Sequence, residues 1–225
     1  MTDLRLVIFD VDGTLVDSQG DIAASMTAAF GAVRLPVPPR AQILAIVGLS
    51  LPRAMAVLAP GEDEATHDRM VEAYKAAYMT LRQTKGTAQS SPLYPHVREV
   101  LEELHAVPEL LLGIATGKSR RGLDKLLDGH GLRHLFVSQH CADDHPSKPH
   151  PAMLLAALSD TGVPAARAVM VGDTSFDMDM AAAAGISGIG VSWGYHDRSR
   201  LGAAARVIDD IRDLPALLTE TETPA

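Results

Sequence analysis

The sequence predicts an α/β fold, in which helices cover both faces of a parallel sheet. Three short apolar runs, each ended by polar residues, are typical of buried strands; they span residues 4–11, 110–115 and 168–171. Amphipathic segments separate them, at 97–105, 119–130, 151–161, 175–184 and 211–218. Because strand–helix–strand crossovers are right-handed, this alternation favours parallel strands with helices above and below.

Shorter apolar runs extend the predicted sheet, at 136–137, 186–191 and 206–208. In open parallel sheets, ligands bind at the carboxyl ends of the strands. The three longer runs all place polar residues at that end, so we expect the functional site there. We expect the segment 219–225 to fray.

The segment 17–86 interrupts the alternation, because it shows only helical patterns and loops. Helices are expected from residue 18 or 21 to 34, then over 40–47, 53–58 and 62–81, with a return loop at 86–95. The simplest arrangement is a helical insertion (17–86) above the edge of a core formed by 1–16 and 87–225.

Composition excludes several classes of protein. The chain has 225 residues, is 47% hydrophobic and carries a net charge of −8, so we expect no general affinity for nucleic acid. No stretch reaches the roughly 18 apolar residues of a membrane span. The start of the chain does not resemble a signal peptide, and Cys141 is the single cysteine. We therefore expect a cytoplasmic protein without disulfides.

Two carboxylates follow the first predicted strand, in Asp10-Val11-Asp12-Gly13-Thr14. Alternating residues of a strand point the same way, so Asp10 and Asp12 would repel each other unless a cation lay between them. Mg²⁺, a hard ion with oxygen ligands, suits that position. The alternative is a solvated turn, since Asp-Gly is a common turn pair.

Two further motifs carry groups that bind phosphate. Thr116-Gly117-Lys118-Ser119 follows the strand predicted at 110–115 and offers a hydroxyl and main-chain amides at a helix start, although an ordinary helix cap has the same pattern. Lys148 lies between Pro146 and Pro149, which favours a rigidly placed side chain over a mobile surface lysine.

The fourth motif is Gly172-Asp173-Thr174-Ser175-Phe176-Asp177, after the strand predicted at 168–171. Asp173 and Asp177 lie four positions apart, so both could face one metal ion; a helix cap with a favourable first-turn charge is the alternative. Because the motifs adjoin the ends of parallel strands, they are expected to converge at one edge of the sheet.

Asp10-x-Asp12-Gly13-Thr14, Thr116, Lys148 and Gly172-Asp173-x-x-x-Asp177 resemble, in order, the four motifs of the haloacid dehalogenase-like superfamily. The match covers nearly the whole chain. The helical insertion resembles the α-helical cap of the phosphoglycolate phosphatase-like branch. The resemblance implies a Rossmann-like core, a Mg²⁺ cofactor and an aspartyl-phosphate intermediate.

The resemblance also implies the role of each residue. Asp10 is the nucleophile, and Asp12 is the acid and then the base. Thr116 and Gly117 bind the phosphoryl group, and Lys148 offsets its charge. The metal ligands are Asp10, Asp173 and the main-chain carbonyl of Asp12, whereas Asp177 orients a metal-bound water or Lys148. An acid at the Asp12 position indicates phosphoryl transfer, because the dehalogenating relatives lack it.

The expected activity is hydrolysis of a small phosphorylated metabolite, with phosphoglycolate as the best single guess. A β-phosphoglucomutase-like phosphomutase, a pyrophosphatase or nucleotidase, and a non-catalytic binding protein remain alternatives. Arg53, in the turn 48–53, is a candidate contact for a substrate carboxylate or phosphate. The insertion lysines Lys75 and Lys85 have no setting that favours a phosphonate-cleaving Schiff base. The sequence does not indicate an oligomeric state.

Overall fold

A computed structural model describes residues 4–220 of the chain. These residues contain a six-stranded sheet in the order β3-β2-β1-β4-β5-β6, and every neighbouring pair is parallel. The strands are β1 (Arg5–Phe9), β2 (Leu110–Thr116), β3 (Ser138–Cys141), β4 (Ala168–Gly172), β5 (Ser187–Val191) and β6 (Arg206–Ile208). The predicted α/β class with a parallel sheet is confirmed.

The α-helices of the described chain lie in two stretches. Those of the inserted segment are α1 (Gln19–Ala32), α2 (Arg40–Leu44), α3 (Leu51–Leu58) and α4 (Glu64–Lys85), and the short helix α5 (Thr87–Ser90) follows it in the connection back to the sheet. Those that alternate with strands are α6 (Val97–His105), α7 (Arg120–His130), α8 (Ala152–Thr161), α9 (Ser175–Ala184) and α10 (Leu214–Glu220). The strand order reverses beside β1, which creates the crevice where ligands bind in such sheets.

β1 is buried on both faces. Val7 and Phe9 belong to one apolar cluster, together with side chains of α6 and α7. Leu6 and Ile8 belong to a second cluster on the opposite face, with side chains of α8. A continuous apolar run is therefore required here, as is usual for central parallel strands.

The helices α1 to α4 have an apolar cluster of their own. It contains Met26 and Phe30 of α1, Met55 of α3 and Met70 of α4, all nearly inaccessible to solvent. α4 begins at Asp63, whose carboxylate accepts a hydrogen bond from the Thr66 N–H at 2.8 Å. The inserted segment thus buries its own apolar side chains in addition to those it packs against the core.

Several expectations were wrong in detail. The helix expected over 62–81 is α4, at Glu64–Lys85, and the helix expected over 40–47 ends at Leu44. The strand expected at 136–137 lies instead at Ser138–Cys141. It is an edge strand rich in polar residues, so an apolar run does not mark it. The loop expected at 86–95 contains the short helix α5. At the other end of the chain, α10 continues to Glu220, whereas residues 221–225 of the expected tail lie outside the described residues.

Candidate active site

Asp10 lies at the carboxyl end of β1 and is 1% exposed. Its main-chain N–H donates to the Val171 carbonyl at 2.9 Å, which fixes it against β4. Lys148 Nζ lies 2.8 Å from Asp10 Oδ1. Asp10 Oδ2 is buried and has no hydrogen-bond partner within residues 4–220. Lys148 comes from the loop between β3 and α8 and is as deeply buried as Asp10.

Asp177 holds the same ammonium group of Lys148. Lys148 Nζ donates to Asp177 Oδ1 at 2.7 Å. Asp177 Oδ2 accepts hydrogen bonds from the main-chain N–H and the hydroxyl of Thr174, at 3.0 and 2.6 Å. Thr174 is the N-cap of α9, so the start of that helix fixes the orientation of the carboxylate.

Asp173 is completely buried and is held by two donors. Thr14 Oγ1 donates to Asp173 Oδ1 at 3.0 Å, and the main-chain N–H of Tyr195 donates to Asp173 Oδ2 at 2.8 Å. Gly13 has a φ of +87°, and a Cβ there would lie 2.2 Å from Asp173 Oδ2. Only glycine leaves room for this carboxylate beside the turn.

Asp10, Asp173 and Asp177 form a buried acidic triad, each with one oxygen within 4.8 Å of the other two. Burial, opposed by Lys148, raises the pKa of Asp10 to about 7. Burial also raises the pKa of Asp173, together with the charges of Asp177 and Asp10. Within residues 4–220, Lys148 is the ammonium group that pairs with this triad, through Asp10 and Asp177, and Asp10 Oδ2 has no hydrogen-bond partner. A divalent cation with oxygen ligands fits this excess of buried negative charge.

The Asp12 carboxylate is not part of the triad and has different partners. Lys118 Nζ donates to Asp12 Oδ1 at 2.7 Å, and the Ser18 hydroxyl donates to the same oxygen. Asp12 Oδ2 has no hydrogen bond from any residue between 4 and 220. Burial lowers the pKa of Lys118, but the Asp12 carboxylate and Tyr78 together raise it above its ordinary value.

Thr116 ends β2, the neighbour of β1 on the side away from β4, and Gly117 follows it. Thr116 is 1% exposed, and its hydroxyl accepts a hydrogen bond from the Lys118 N–H at 3.2 Å. A Cβ on Gly117 would lie 2.4 Å from the Gly48 carbonyl oxygen and 2.8 Å from that of Leu49. Gly117 therefore permits a close approach between the core and the inserted segment.

A cavity of about 780 Å³ opens between the sheet edge and the inserted helices. Four of the motif residues, Asp10, Asp12, Thr116 and Gly117, line this cavity. Arg53 does not line it: this side chain is exposed on α3, because it points away from the cavity side of a helix whose Ala54 is buried. The structure thus gives no support to the expected contact between Arg53 and substrate.

Several residues of the site were not predicted from the sequence. Lys118 was seen only as part of a helix-start motif, although it pairs with Asp12. Residue 18 was considered only as a possible helix start, and Tyr195 was not assigned to the site. Tyr195 follows β5 at the same sheet edge as the motifs. That position in the sequence could have indicated that it belongs to the site.

Histidine, cysteine and aspartate residues are concentrated at positions 140–150, and several of their side chains contact one another or nearby residues. His140 Nδ1 lies 2.9 Å from His145 Nε2, and His140 Nε2 lies 3.0 Å from an Asp160 carboxylate oxygen. Burial raises the pKa of the Cys141 thiol to about 11. Within residues 4–220 the acidic triad is the one group of three or more possible metal ligands.

A profile described as "Haloacid dehalogenase-like hydrolase" matches residues 7–191, which is most of the chain. The chain belongs to the haloacid dehalogenase-like hydrolases. "Probable phosphatase IndB" of Dickeya dadantii is 40% identical over 205 residues, which cover 88% of this chain and 86% of that protein. The phosphoglycolate phosphatase of Pasteurella multocida is 31% identical over 201 residues, covering 87% and 89% of the two chains.

Solved structures of haloacid dehalogenase-like fold agree. The crystal structure of a hydrolase from Pseudomonas syringae aligns with a TM-score of 0.84 at 27% identity, over 97% of this chain and 100% of the other. A predicted phosphoglycolate phosphatase from Haemophilus somnus aligns with a TM-score of 0.81 at 27% identity, over 96% and 99%. The chain therefore lies in the phosphoglycolate phosphatase-like branch and is an enzyme of the phosphatase class.

Membrane-spanning helices are not found in the part of the chain that the structure describes: none of its helices is both long and apolar enough.

Proposed function

We propose that this phosphatase hydrolyses a small phosphorylated metabolite, with Asp10 as nucleophile and Mg²⁺ as cofactor. The observation that carries the proposal is the environment of Asp10. Its carboxylate is buried at the bottom of the cavity, one oxygen faces Lys148 and the other has no partner within residues 4–220. A group held this way is available for attack and is surrounded by the charges that an incoming phosphate requires.

In the first step, a carboxylate oxygen of Asp10 forms a bond to phosphorus while the bond from phosphorus to the ester oxygen breaks. The products are an aspartyl phosphate and the alcohol. Protonated Asp12 supplies the proton that the departing oxygen takes up. Asp12 Oδ2 suits this role because Lys118 and Ser18 hold only the other oxygen, so Oδ2 is left for substrate.

In the second step, Asp12 accepts a proton from water while the water oxygen attacks phosphorus. The bond from phosphorus to Asp10 breaks, inorganic phosphate is released, and Asp12 is protonated again for the next cycle. One carboxylate thus serves as acid and then as base, which fits its place at the cavity floor beside Asp10.

Charge neutralisation is the remaining requirement. Lys148 is paired with both Asp10 and Asp177, and we propose that it offsets the charge of the nucleophile and the phosphoryl group. Thr116 and Gly117 would bind the phosphoryl oxygens. Asp10, Asp173 and the Asp12 carbonyl would hold Mg²⁺, which supplies positive charge to the transferring group when bound.

We propose that residues 17–86 act as a cap on the core formed by 1–16 and 87–225. Their separate apolar cluster supports this division. The cap meets the core through small polar contacts: Ser50 N–H donates to Ser147 Oγ at 2.8 Å, and His196 Nε2 lies 3.0 Å from the Ala45 carbonyl. Such contacts can be broken and remade as substrate enters, with hinges at 16–20 and 86–92.

Phosphoglycolate is the best single guess for the substrate, supported by the names of relatives at 31–32% identity. Sugar phosphates, nucleoside monophosphates and pyrophosphate are the other members of the test set. A cytoplasmic location and the lack of nucleic-acid or membrane partners stay predictions.

A panel of phosphate esters, assayed for released phosphate with Mg²⁺ and with EDTA, tests the proposal. We expect turnover of at least one ester with Mg²⁺, its loss in EDTA, and its loss in Asp10→Asn with the circular dichroism spectrum unchanged. No turnover of any ester would refute it. Isomerised sugar phosphate without free phosphate would instead identify a phosphomutase.

A further inference from the structure

Arg82 is a cation of the cavity wall and has no counter-ion among residues 4–220. It lies near the end of α4 and lines the cavity. Its Nη1 donates to the Gly122 carbonyl of α7 at 3.2 Å. Its Nε and Nη2 are buried without a hydrogen-bond partner, and no carboxylate of residues 4–220 forms an ion pair with it. Buried donors of a charged group are costly to leave unpaired, so this arrangement requires an explanation.

The surroundings of Arg82 are aromatic. Its guanidinium carbon lies 5.1 Å from the centroid of the Tyr78 ring, and Lys118 Nζ lies 5.3 Å from the same centroid. Tyr74 stacks on Tyr78 with centroids 5.9 Å apart. The Tyr78 ring therefore links Arg82 to Lys118, which in turn binds Asp12 on the leaving-group side of the site.

The rim of the cavity is basic although the protein is acidic. Besides Arg82 and Lys118, the lining includes three further cations, Lys75, Arg121 and Lys125. Its acidic members are Asp10 and Asp12, each paired with a lysine, and Asp143. A chain of net charge −8 thus concentrates positive charge where substrate enters. A single phosphate bound at Asp10 does not account for all five of these cations.

We propose that Arg82 anchors a second oxyanion, carried by the organic part of the substrate. This inference rests on the proposed phosphatase function and adds a specificity-determining residue to it. The Nε–Nη2 edge of a guanidinium matches two oxygens of a carboxylate or phosphate group. A rotation of the Arg82 side chain on the Tyr78 ring brings that edge to the cavity, where the oxyanion supplies the missing partners.

The test compares pairs of esters that differ in the second anion. Phosphoglycolate and 3-phosphoglycerate carry a carboxylate, fructose 1,6-bisphosphate carries a second phosphate, and ethyl phosphate and nucleoside monophosphates carry neither. The variants are Arg82→Gln, Arg82→Lys and the control Arg69→Gln. Arg82→Lys keeps the positive charge but loses the pair of guanidinium N–H groups that can bind two oxygens at once. Arg69 is an exposed arginine of the same helix and does not line the cavity.

We expect wild-type enzyme to prefer esters with a second anion. Arg82→Gln lowers kcat/KM for those esters by about 10- to 100-fold, mainly through KM, and changes kcat/KM for the esters without a second anion by less than about 2-fold. Arg82→Lys gives an intermediate loss, and Arg69→Gln gives none. The anion whose ester loses most, carboxylate or phosphate, identifies the group bound.

The proposal would be overturned if Arg82→Gln lowered kcat/KM equally for esters with and without a second anion, or lowered it for neither group. Calorimetric titration of the same esters into wild type and Arg82→Gln in EDTA supplies a reading that does not need turnover. If no ester is hydrolysed, the phosphatase proposal fails. The inference about Arg82 fails in that case only if wild type and Arg82→Gln bind the esters with a second anion equally tightly. Should Arg82→Gln not fold, the Arg82→Lys comparison carries the same decision.

Discussion

Replacing Lys148 with methionine removes the ammonium group that, within residues 4–220, pairs with the acidic triad. Lys148 Nζ lies 2.8 Å from Asp10 Oδ1 and 2.7 Å from Asp177 Oδ1, and its side chain is inaccessible to solvent. Methionine keeps most of the volume, so the change isolates the charge. We expect Lys148→Met to lose phosphatase activity and to be strongly destabilised when no divalent ion is present.

The size of the effect follows from the geometry. At the separation of these ion pairs, an effective dielectric constant near 20 gives roughly 6 kcal/mol of attraction for each pair. The desolvation of Lys148 opposes this attraction and disappears with the side chain. Breaking a buried ion pair by removing one partner costs about 3–5 kcal/mol in measured cases, and we expect that range at pH 8 in EDTA.

Urea denaturation followed by circular dichroism measures the change. The control is Lys125→Met, an exposed lysine of α7 without an ion pair in the described structure, for which we expect a change within about 0.5 kcal/mol. The double variant Asp10→Asn/Lys148→Met should regain part of the loss, because one buried charge is gone. A loss below about 1 kcal/mol for Lys148→Met, or equal losses in the single and double variants, would refute this reasoning.

Two other predictions concern contacts between the inserted segment and the core. Gly117→Ala places a Cβ 2.4 Å from the Gly48 carbonyl oxygen, so we expect kcat/KM to fall at least about 10-fold while the melting temperature changes little. Gly31→Ala, with nothing within 4 Å, is the control, and unchanged turnover in Gly117→Ala would contradict the prediction. His196 accepts a hydrogen bond from Ser175 N–H at Nδ1, and burial lowers its pKa. The unfolded chain therefore takes up a proton that the folded chain does not, so stability is lost as pH falls below about 6.5. Relative to His196→Gln, wild type should lose up to about 1.4 kcal/mol per pH unit between pH 6.5 and 5.5, measured by urea denaturation; parallel profiles would exclude the effect.

Most of the sheet could be predicted because its central strands are buried on both faces. β1, β2 and β4 each combine an apolar run with a polar end, and hydropathy alone indicates them. β3 was misplaced because an edge strand, with Ser138 and His140 in it, needs no apolar run. The hydropathy pattern of the sequence therefore predicts strands that are buried on both faces, but it does not locate the edge strand β3.

Some residues of the candidate site could likewise be predicted from the sequence pattern, and others could not. Asp10, Thr116 and Asp173 could be found because each directly follows a central strand. The pairing of Lys118 with Asp12 joins residues 106 positions apart, and the contact of Tyr195 with Asp173 uses a main-chain N–H that any residue could supply. Neither contact leaves a pattern in the sequence. Arg53 was chosen because it is an arginine in a turn, but helix geometry turns it outward.

The stereochemical course at phosphorus tests the central claim, that Asp10 is a covalent nucleophile. The substrate is the phosphorothioate analogue of an ester that the enzyme hydrolyses, made chiral at phosphorus with oxygen isotopes. The configuration of the released thiophosphate is then measured. Attack by Asp10 followed by attack by water inverts phosphorus twice, so the account predicts net retention, with no turnover in Asp10→Asn. Net inversion would show that water attacks the ester directly and would contradict the role of Asp10.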